Sequence, residues 1–256
     1  MNNDQKAKVI EQFSKNADSY VTSHSHAKGN DLQHIKKWLH PESNWKVLDI
    51  ATGGGHVAKT LGPVVSQVFA SDLTKTMLQN TASHLRNYEN IFFILADAEN
   101  LPFLDETFDA VTCRIAAHHF PKPEFFIKET SRVLKPEGKF LLIDNVVPEE
   151  EALADFMNRF EKLRDGSHAN CLSPSEWNQL SSKYQLKELK RDVHKKTYPF
   201  KTWVQRTTES ENDWKQVEDY ILSGSHEALS YFSVRTEDNR IVSLEVDEMM
   251  SVYEKR

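Results

Sequence analysis

A cluster of glycines that follows an acid in an apolar run is the strongest chemical signal in this sequence. Residues 47–50 are apolar except for Asp49, and Ala51, Thr52 and three consecutive glycines from Gly53 to Gly55 come next. Glycine lets a backbone turn tightly and approach a ligand that a side chain would keep away. A helix that begins after such a turn presents free N–H donors. The segment predicts a ligand-binding strand-to-helix turn; the alternative is a glycine-rich turn with no ligand.

Asp49 separates two classes of ligand for this turn. The spacing Gly53-x-Gly55-x-x-Ala58 also satisfies the fingerprint of a dinucleotide site. A carboxylate at the tip of the strand would repel a pyrophosphate. It suits S-adenosylmethionine, because the methionine part of that molecule carries an ammonium group and its sulfur is cationic. Asp49 therefore favours S-adenosylmethionine over a dinucleotide.

Two further acids stand where the next strands are predicted to end. Asp72, with Leu73 beside it, comes 23 residues after Asp49 (72 − 49), a spacing that places an acid against both hydroxyls of a ribose. Its alternative role is to cap the helix that follows. Asp97 ends the third strand, where its carboxylate would accept from an adenine amine while the backbone near Ala98 addresses the ring. A turn-forming aspartate is the alternative for Asp97.

The segment that leaves the fourth predicted strand carries a cation and two histidines. Arg114 is placed to contact the methionine carboxylate or to line the site, and Ala116 to approach the cofactor through its backbone. His118 and His119 are candidates for a general base or for orienting a substrate. The alternative for each histidine is a structural or solvated role.

Alternating strands and helices must position these groups. This alternation predicts an α/β fold, with a parallel sheet and helices on both of its faces. The predicted strands are 47–50, 64–70, 91–95, 108–114 and 139–147, and the predicted helices between them are 57–61, 74–88 and 123–134.

The flanks of this core are expected to cover it. Helices are predicted over 6–13 and 31–39, with a polar segment at 16–29 in which Tyr20 and His26 are candidates to line a lid. After Pro148 we expect a helical cap and late strands that join the same sheet, one of them antiparallel. The predicted elements are a helix over 150–164, one beginning at Ser173, a strand over 186–198, a helix over 201–222 and two strands within 229–246.

Arg164 and His168 belong to a polar cluster in the predicted cap. They are candidates to hold the substrate, and the alternative is a charged helix end. His24 and His26 have metal-like spacing, but no Cys, Asp or Glu stands at a matching position, so no metal is expected.

Composition restricts the classes of function. The formal net charge is −6, and no basic block stands out, which argues against a nucleic-acid partner. No apolar run is long enough to cross a bilayer, and the amino end lacks the apolar stretch of a secretory signal. The chain has two cysteines, Cys113 in a predicted strand and Cys171 in a loop, so a disulfide is not expected and a cytoplasmic location fits. The oligomeric state is open.

Five motifs in order resemble a known family. They are the glycine cluster with Asp49, then Asp72, Asp97, residues 101–109 (Leu-Pro-Phe-Leu-Asp-Glu-Thr-Phe-Asp) and residues 132–138 (Arg-Val-Leu-Lys-Pro-Glu-Gly). Together they resemble a class I S-adenosylmethionine-dependent methyltransferase of the UbiE-like branch (ubiquinone/menaquinone biosynthesis), especially its uncharacterised bacillus-type members. The resemblance is strong from about residue 45 to 147. Ala51 departs from the glycine that is commoner at its position.

The resemblance implies a Rossmann-like, seven-stranded, mostly parallel sheet with one antiparallel strand. It implies S-adenosylmethionine as cofactor and in-line methyl transfer to a small molecule, without identifying the acceptor or the atom methylated. We expect residues 1–44 to form a helical lid, 45–148 the cofactor-binding core, and 149–256 the cap and remaining strands. Two alternatives stay open: a nicotinamide-dependent oxidoreductase, which must explain Asp49 and lacks a Tyr-x-x-x-Lys motif, and a non-catalytic cofactor-binding module.

Overall fold

One mixed sheet organises the molecule. The computed structural model describes residues 2–15, 30–208 and 210–256. The strands are β1 (Lys46–Ile50), β2 (Gln67–Asp72), β3 (Ile91–Leu95), β4 (Phe108–Arg114), β5 (Leu134–Val146), β6 (Leu186–Pro199), β7 (Arg235–Glu237) and β8 (Arg240–Lys255).

The strand order confirms the predicted architecture. The main path of the sheet is β3-β2-β1-β4-β5-β8-β6, and the short β7 pairs with β8 outside this path. Strands β1 to β5 are parallel, whereas β8 is antiparallel to both β5 and β6. The order reverses between β1 and β4, and in open α/β sheets a ligand binds at the carboxyl ends of the strands beside such a reversal.

Helices cover both faces of the sheet. They are α1 (Asn2–Lys15), α2 (Asn30–Leu39), α3 (His56–Leu61), α4 (Lys75–His84), α5 (Pro123–Val133), α6 (Glu151–Arg164), α7 (Pro174–Lys183), α8 (Phe200–Val204), α9 (Glu211–Leu222) and α10 (His226–Tyr231). As predicted for Ser173, α7 begins with a capping box in which the Ser173 hydroxyl accepts from the Glu176 N–H and the Glu176 carboxylate accepts from the Ser173 N–H.

Alternate residues of β5 belong to two different cores, as expected for a strand that is buried on both faces. Phe140 and Leu142 pack in one core with α5 and α7, whereas Leu141 and Ile143 pack in the other with α2 and α3. A third core, around Phe160 and the aromatic residues near it, lies among α6, α8, α9 and α10.

Several predicted elements are wrong at their boundaries. The helix predicted over 74–88 ends at His84, and the strand predicted over 139–147 begins at Leu134. The single helix expected over 201–222 is two helices, α8 and α9, because Ser210 forms a capping box with Asp213 and starts a new helix. The segment 226–231, part of which was expected to be strand, is the helix α10, which Ser225 caps. The second strand begins at Gln67 rather than at residue 64, because 62–64 form a 3-10 turn that includes Pro63.

No helix in the described part of the chain is both long and apolar enough to cross a membrane. Both cysteines, Cys113 and Cys171, are buried free thiols.

Candidate active site

A cavity of about 1040 Å³, counting the space that opens to solvent, lies at the carboxyl ends of β1 to β4 and beneath α1. Ten of the eleven residues predicted to bind the cofactor line it: Asp49, Ala51, Thr52, Gly53, Asp72, Leu73, Asp97, Ala98, Arg114 and Ala116. Gly55 is the exception.

The glycine turn holds its shape through backbone that most residues avoid. Gly53 and Gly55 have φ angles of 51° and 73°, in the left-handed region. A Cβ on Gly55 would stand 2.5 Å from Cγ2 of Thr81, so Gly55 serves the packing of the turn against α4 rather than the cavity. Ala51 has a φ of 52°, which explains in physical terms why glycine is the commoner residue at its position.

Asp49 is a buried carboxylate at the end of β1. It is 1% exposed, and it accepts hydrogen bonds from the hydroxyls of Thr52 (2.6 Å) and Thr112 (2.7 Å). Burial raises the pKa of Asp49 to about 6, although both threonines and the nearby Arg114 oppose the rise. A cation that binds beside Asp49 would offset the cost of keeping this group ionised.

Asp72 ends β2 and holds the glycine turn to the start of α4. Its two carboxylate oxygens accept from the backbone N–H groups of Gly53 (3.1 Å) and Thr74 (2.9 Å). Burial raises the pKa of Asp72, and these N–H donors partly oppose that rise. The contact with Thr74, the N-cap residue of α4, shows that Asp72 acts at the helix start in addition to lining the cavity.

Helix α1 closes the cavity from above. Nζ of Lys6 lies 2.6 Å from a carboxylate oxygen of Asp97 and 2.6 Å from one of Glu99. Val9 and Phe13 of the same helix also line the cavity. No local pattern indicates the pairing of Lys6 with these acids, because the residues are about 90 positions apart.

Arg114 is fixed by an acid that the sequence analysis missed. Asp31, near the start of α2, accepts two hydrogen bonds from the Arg114 guanidinium, through Nε and through Nη2, the latter at 3.2 Å. Burial alone would raise the pKa of Asp31, but the guanidinium lowers it below its usual value. This pair ties the predicted lid to the end of β4.

The two adjacent histidines differ in their surroundings. His118 is paired with Asp144 at the end of β5, with Nδ1 2.6 Å from one carboxylate oxygen and the backbone N–H donating to the other. Burial acts to lower the pKa of His118, but Asp144 reverses the direction and raises it. Asp144 follows the apolar run 140–143, so the signal that pointed to Asp49, an acid at the end of a strand, would also have found it.

His119 lines the cavity, whereas His118 does not. Nδ1 of His119 lies 3.0 Å from the backbone oxygen of Ser167, and the Phe13 ring meets the imidazole edge to face at 5.1 Å. Burial and the neighbouring His118 lower the pKa of His119, so its imidazole is neutral at pH 7.

Arg164 and His168 do not line this cavity, so the structure does not bring them to the predicted substrate position. Arg164 ends α6, where it donates two hydrogen bonds to Glu161 and lies over the Trp203 ring. His168 is buried, and its Nε2 lies 3.0 Å from Oδ1 of Asn158. For Arg164 the charged helix end is the arrangement observed. Tyr20 and His26 lie outside the described residues.

The residues around the cavity fit S-adenosylmethionine. Four carboxylates line it (Asp49, Asp72, Asp97 and Glu99), against two side chains that are cationic at neutral pH, Lys6 and Arg114. Such a balance favours a ligand that carries positive charge and no phosphate. Small residues and backbone on the glycine turn leave room for the ligand.

Comparisons with known proteins agree with this chemistry. The family described as "Methyltransferase domain" matches residues 48–142. The chain is 36% identical over 231 residues to the uncharacterized methyltransferase YcgJ of Bacillus subtilis, covering 89% of this chain and 90% of the relative. It is 34% identical over 163 residues to the ubiquinone/menaquinone biosynthesis C-methyltransferase UbiE of Rickettsia typhi, covering 56% of this chain and 63% of that protein.

A crystal structure of a candidate methyltransferase from Bacillus halodurans superposes with a TM-score of 0.86 at 36% identity, covering 89% of this chain and 99% of the other. These likenesses decide between an oxidoreductase and a methyltransferase in favour of the latter. Together with the acid-lined cavity at the switch point of the sheet, they establish that the chain belongs to the class I S-adenosylmethionine-dependent methyltransferases, among UbiE-like and bacillus-type relatives.

Proposed function

We propose that this methyltransferase acts on a small-molecule acceptor bound in the cavity beneath α1, and that His119 is the general base that receives the acceptor's proton. The observation that carries this proposal is the placement of His119 in the wall of the cavity with Nδ1 engaged by Ser167. Among the described residues, Nε2 of His119 has no hydrogen-bond partner, so it is available to an acceptor.

The acids and the glycine turn would hold the cofactor. In this proposal Asp49 faces the cationic methionine part, while Asp72 and Leu73 bind the ribose. Asp97, with Ala98, addresses the adenine. The cofactor contacts backbone of four lining residues, Ala51, Thr52, Gly53 and Ala116. Arg114 lies near the methionine carboxylate. Gly55 supports the turn from behind.

S-adenosylmethionine supplies a methyl group that is already activated by its sulfonium. The protein therefore has to position the acceptor and exclude water, and effects of this kind are worth several orders of magnitude in rate. Val9 and Phe13 of α1, with Phe120 and Pro121 beside His119, give the cavity an apolar wall that serves both purposes.

His119 suits the role of base better than His118. His118 does not line the cavity, and Asp144 near the end of β5 holds its Nδ1 and its backbone N–H. His119 is neutral, and a neutral imidazole accepts a proton through the nitrogen that carries its lone pair.

A small acceptor in the cytoplasm is the class of substrate that the chain supports best. Helix α1 and its ion pair cover part of the cavity, which supports an acceptor of small size. Two buried free thiols suit a reducing compartment. Quinone precursors are the first acceptors to examine, since UbiE of Rickettsia typhi is a quinone-biosynthesis C-methyltransferase.

Isothermal titration with S-adenosylmethionine and S-adenosylhomocysteine tests the cofactor site. We expect Asp72→Ala to weaken binding by about 10- to 100-fold, because hydrogen bonds to a charged group are worth ~1.5–3 kcal/mol. Asp219→Ala, which removes an exposed carboxylate from α9, is the matched control. Equal affinities of the two variants would refute the assignment of Asp72.

Transfer of a labelled methyl group to candidate acceptors tests the base. With an acceptor in hand, His119→Gln should lower kcat by about 10²- to 10⁴-fold, the usual contribution of a general base, and leave cofactor affinity unchanged. His84→Gln, on the exposed end of α4, is the control. Unchanged turnover in His119→Gln would show that no base acts at this position.

A further inference from the structure

The segment Asp165-Gly166-Ser167-His168 joins α6 to the loop before α7, and its three residues other than Gly166 are buried. Asp165, Ser167 and His168 are between 1% and 3% exposed. Polar residues are placed in the interior of a protein at a cost unless they have partners. The hydrogen bonds of these residues connect them to His119, so the segment does more than end α6.

Asp165 organises this turn. One oxygen of its carboxylate accepts both the backbone N–H of Ser167 (2.8 Å) and the Ser167 hydroxyl (2.5 Å). Burial acts to raise the pKa of Asp165, but His119, Arg164 and the Ser167 donors lower it below its usual value. Asp165 is therefore ionised at neutral pH, and its geometry fixes where the Ser167 carbonyl and hydroxyl lie.

Both groups of Ser167 that face His119 are hydrogen-bond acceptors. The carbonyl oxygen lies 3.0 Å from Nδ1 of His119, and the hydroxyl oxygen lies 3.3 Å from the same nitrogen. A carbonyl has no proton to give, and the hydroxyl proton is directed to Asp165. Nδ1 must therefore carry the proton in the neutral ring, and the lone pair stands on Nε2.

We infer that Asp165 is a positioning residue for methyl transfer: through Ser167 it fixes the tautomer and orientation of His119. This inference rests on the proposed role of His119 as base. When the proton of the acceptor's O–H, N–H or C–H group moves to Nε2, its bonding pair would stay with the acceptor. That pair would form the new bond to the methyl carbon, and the pair of the broken carbon–sulfur bond would stay on the sulfur of the departing S-adenosylhomocysteine. The ring then holds two N–H groups and a positive charge, which the Asp165 carboxylate stabilises from behind Ser167.

Nitrogen NMR of ¹⁵N-histidine-labelled protein tests the inference without any acceptor. His119→Gln identifies the His119 signals among the eleven histidines. We expect wild-type His119 to show a protonated Nδ1 and an unprotonated Nε2. In Asp165→Asn the pKa of His119 should fall, because the charge that favours its protonated form is gone, and the Nε2–H tautomer should become detectable.

A protonated Nε2 in neutral wild-type His119 would overturn the inference. So would an unchanged tautomer and pKa of His119 in Asp165→Asn, provided that the variant is folded by its thermal transition. Asp155→Asn, on the exposed face of α6, is the control. If the tautomer shifts as expected while His119→Gln keeps full methyl transfer, the positioning holds and the proposed base fails, so the two failures are distinguishable.

With an acceptor in hand, Asp165→Asn should lower kcat more than tenfold and leave KM for the cofactor near its wild-type value. The pH dependence of kcat should shift to lower pH in this variant, because the pKa of His119 falls. A change of melting temperature alone, with the profile unmoved, would assign Asp165 a structural role only.

Discussion

Replacement of Lys6 by methionine tests whether α1 is a lid that holds the cofactor in place. Nζ of Lys6 lies 2.6 Å from both Asp97 and Glu99, and its side chain is 22% exposed. Surface pairs are worth about 0.2–1 kcal/mol and hydrogen bonds between charged groups ~1.5–3 kcal/mol. Lys6 has two partners and is partly exposed to solvent, which screens the ion pairs. We therefore take about 1 kcal/mol as the free energy that they contribute to holding α1 closed.

That free energy corresponds to about a fivefold change in rate. If α1 is a lid over the cofactor, Lys6→Met should raise the dissociation rate of S-adenosylhomocysteine by about fivefold in a stopped-flow experiment. If the ion pair is also closed in the free protein, the association rate rises too and Kd changes little. High salt should shrink the difference, since it screens the pair in the wild type.

Lys8→Met is the matched control, because Lys8 is an exposed lysine on the same helix. It should leave the dissociation rate as it is in the wild type. If the rates for Lys6→Met and Lys8→Met agree within twofold, the ion pair does not govern exit of the cofactor, and α1 is a fixed wall rather than a lid.

Two further predictions concern the glycine turn and Asp49. Gly55→Ala should lower the melting temperature by several degrees, because its φ is 73° and the new Cβ would meet Thr81 at 2.5 Å; in Gly166→Ala, where nothing lies within 4 Å, the loss should be small, and equal losses would contradict this reasoning. Asp49→Asn should abolish cofactor binding in titrations yet raise the melting temperature of the free protein at pH 7.5. The pKa of Asp49 is raised from 3.8 to about 6 on folding, so the folded state binds more protons than the unfolded state between these values. The ionised carboxylate of Asp49 therefore lowers the free energy of unfolding by up to about 3 kcal/mol above pH 6, and this loss of stability shrinks as pH falls toward 4. A gain in melting temperature that is the same at pH 5 and pH 7.5 would refute the assignment of the cost to ionisation.

Local patterns predicted the sheet and most of the residues that line the cavity at its carboxyl edge. Asp49 and Asp72 lie at the ends of β1 and β2, and Asp97 follows β3 by two residues. The carboxyl ends of parallel strands share one edge of a sheet, so the convergence of these acids follows from the order of elements. Gly53 marks a turn whose left-handed backbone conformation favours glycine. Each of these signals is contained in a short stretch of consecutive residues, so local patterns are enough to reveal it.

The partners of these groups were not predictable in the same way. Lys6 meets Asp97, Asp31 meets Arg114, and His119 meets Ser167 across separations of 48 to 91 residues. Such pairs depend on how α1, α2 and the cap fold back over the sheet, and no local spacing encodes that path. For the same reason the sequence did not reveal that Arg164 and His168 have partners inside the cap. Arg164 pairs with Glu161, and His168 with Asn158.

The position of β8 has a consequence for how the chain is made. β8 follows β6 in the sequence, yet it is inserted between β5 and β6; it pairs with β6 over residues 243–255 and with β5 over residues 247–254. On the ribosome, β1 to β5 emerge with their cofactor turn while the edges of β5 and β6 have no neighbour. Unpaired edges invite pairing with other chains. The cofactor half can therefore be assembled early, but the nascent protein stays exposed to aggregation until residue 255 has left the exit tunnel.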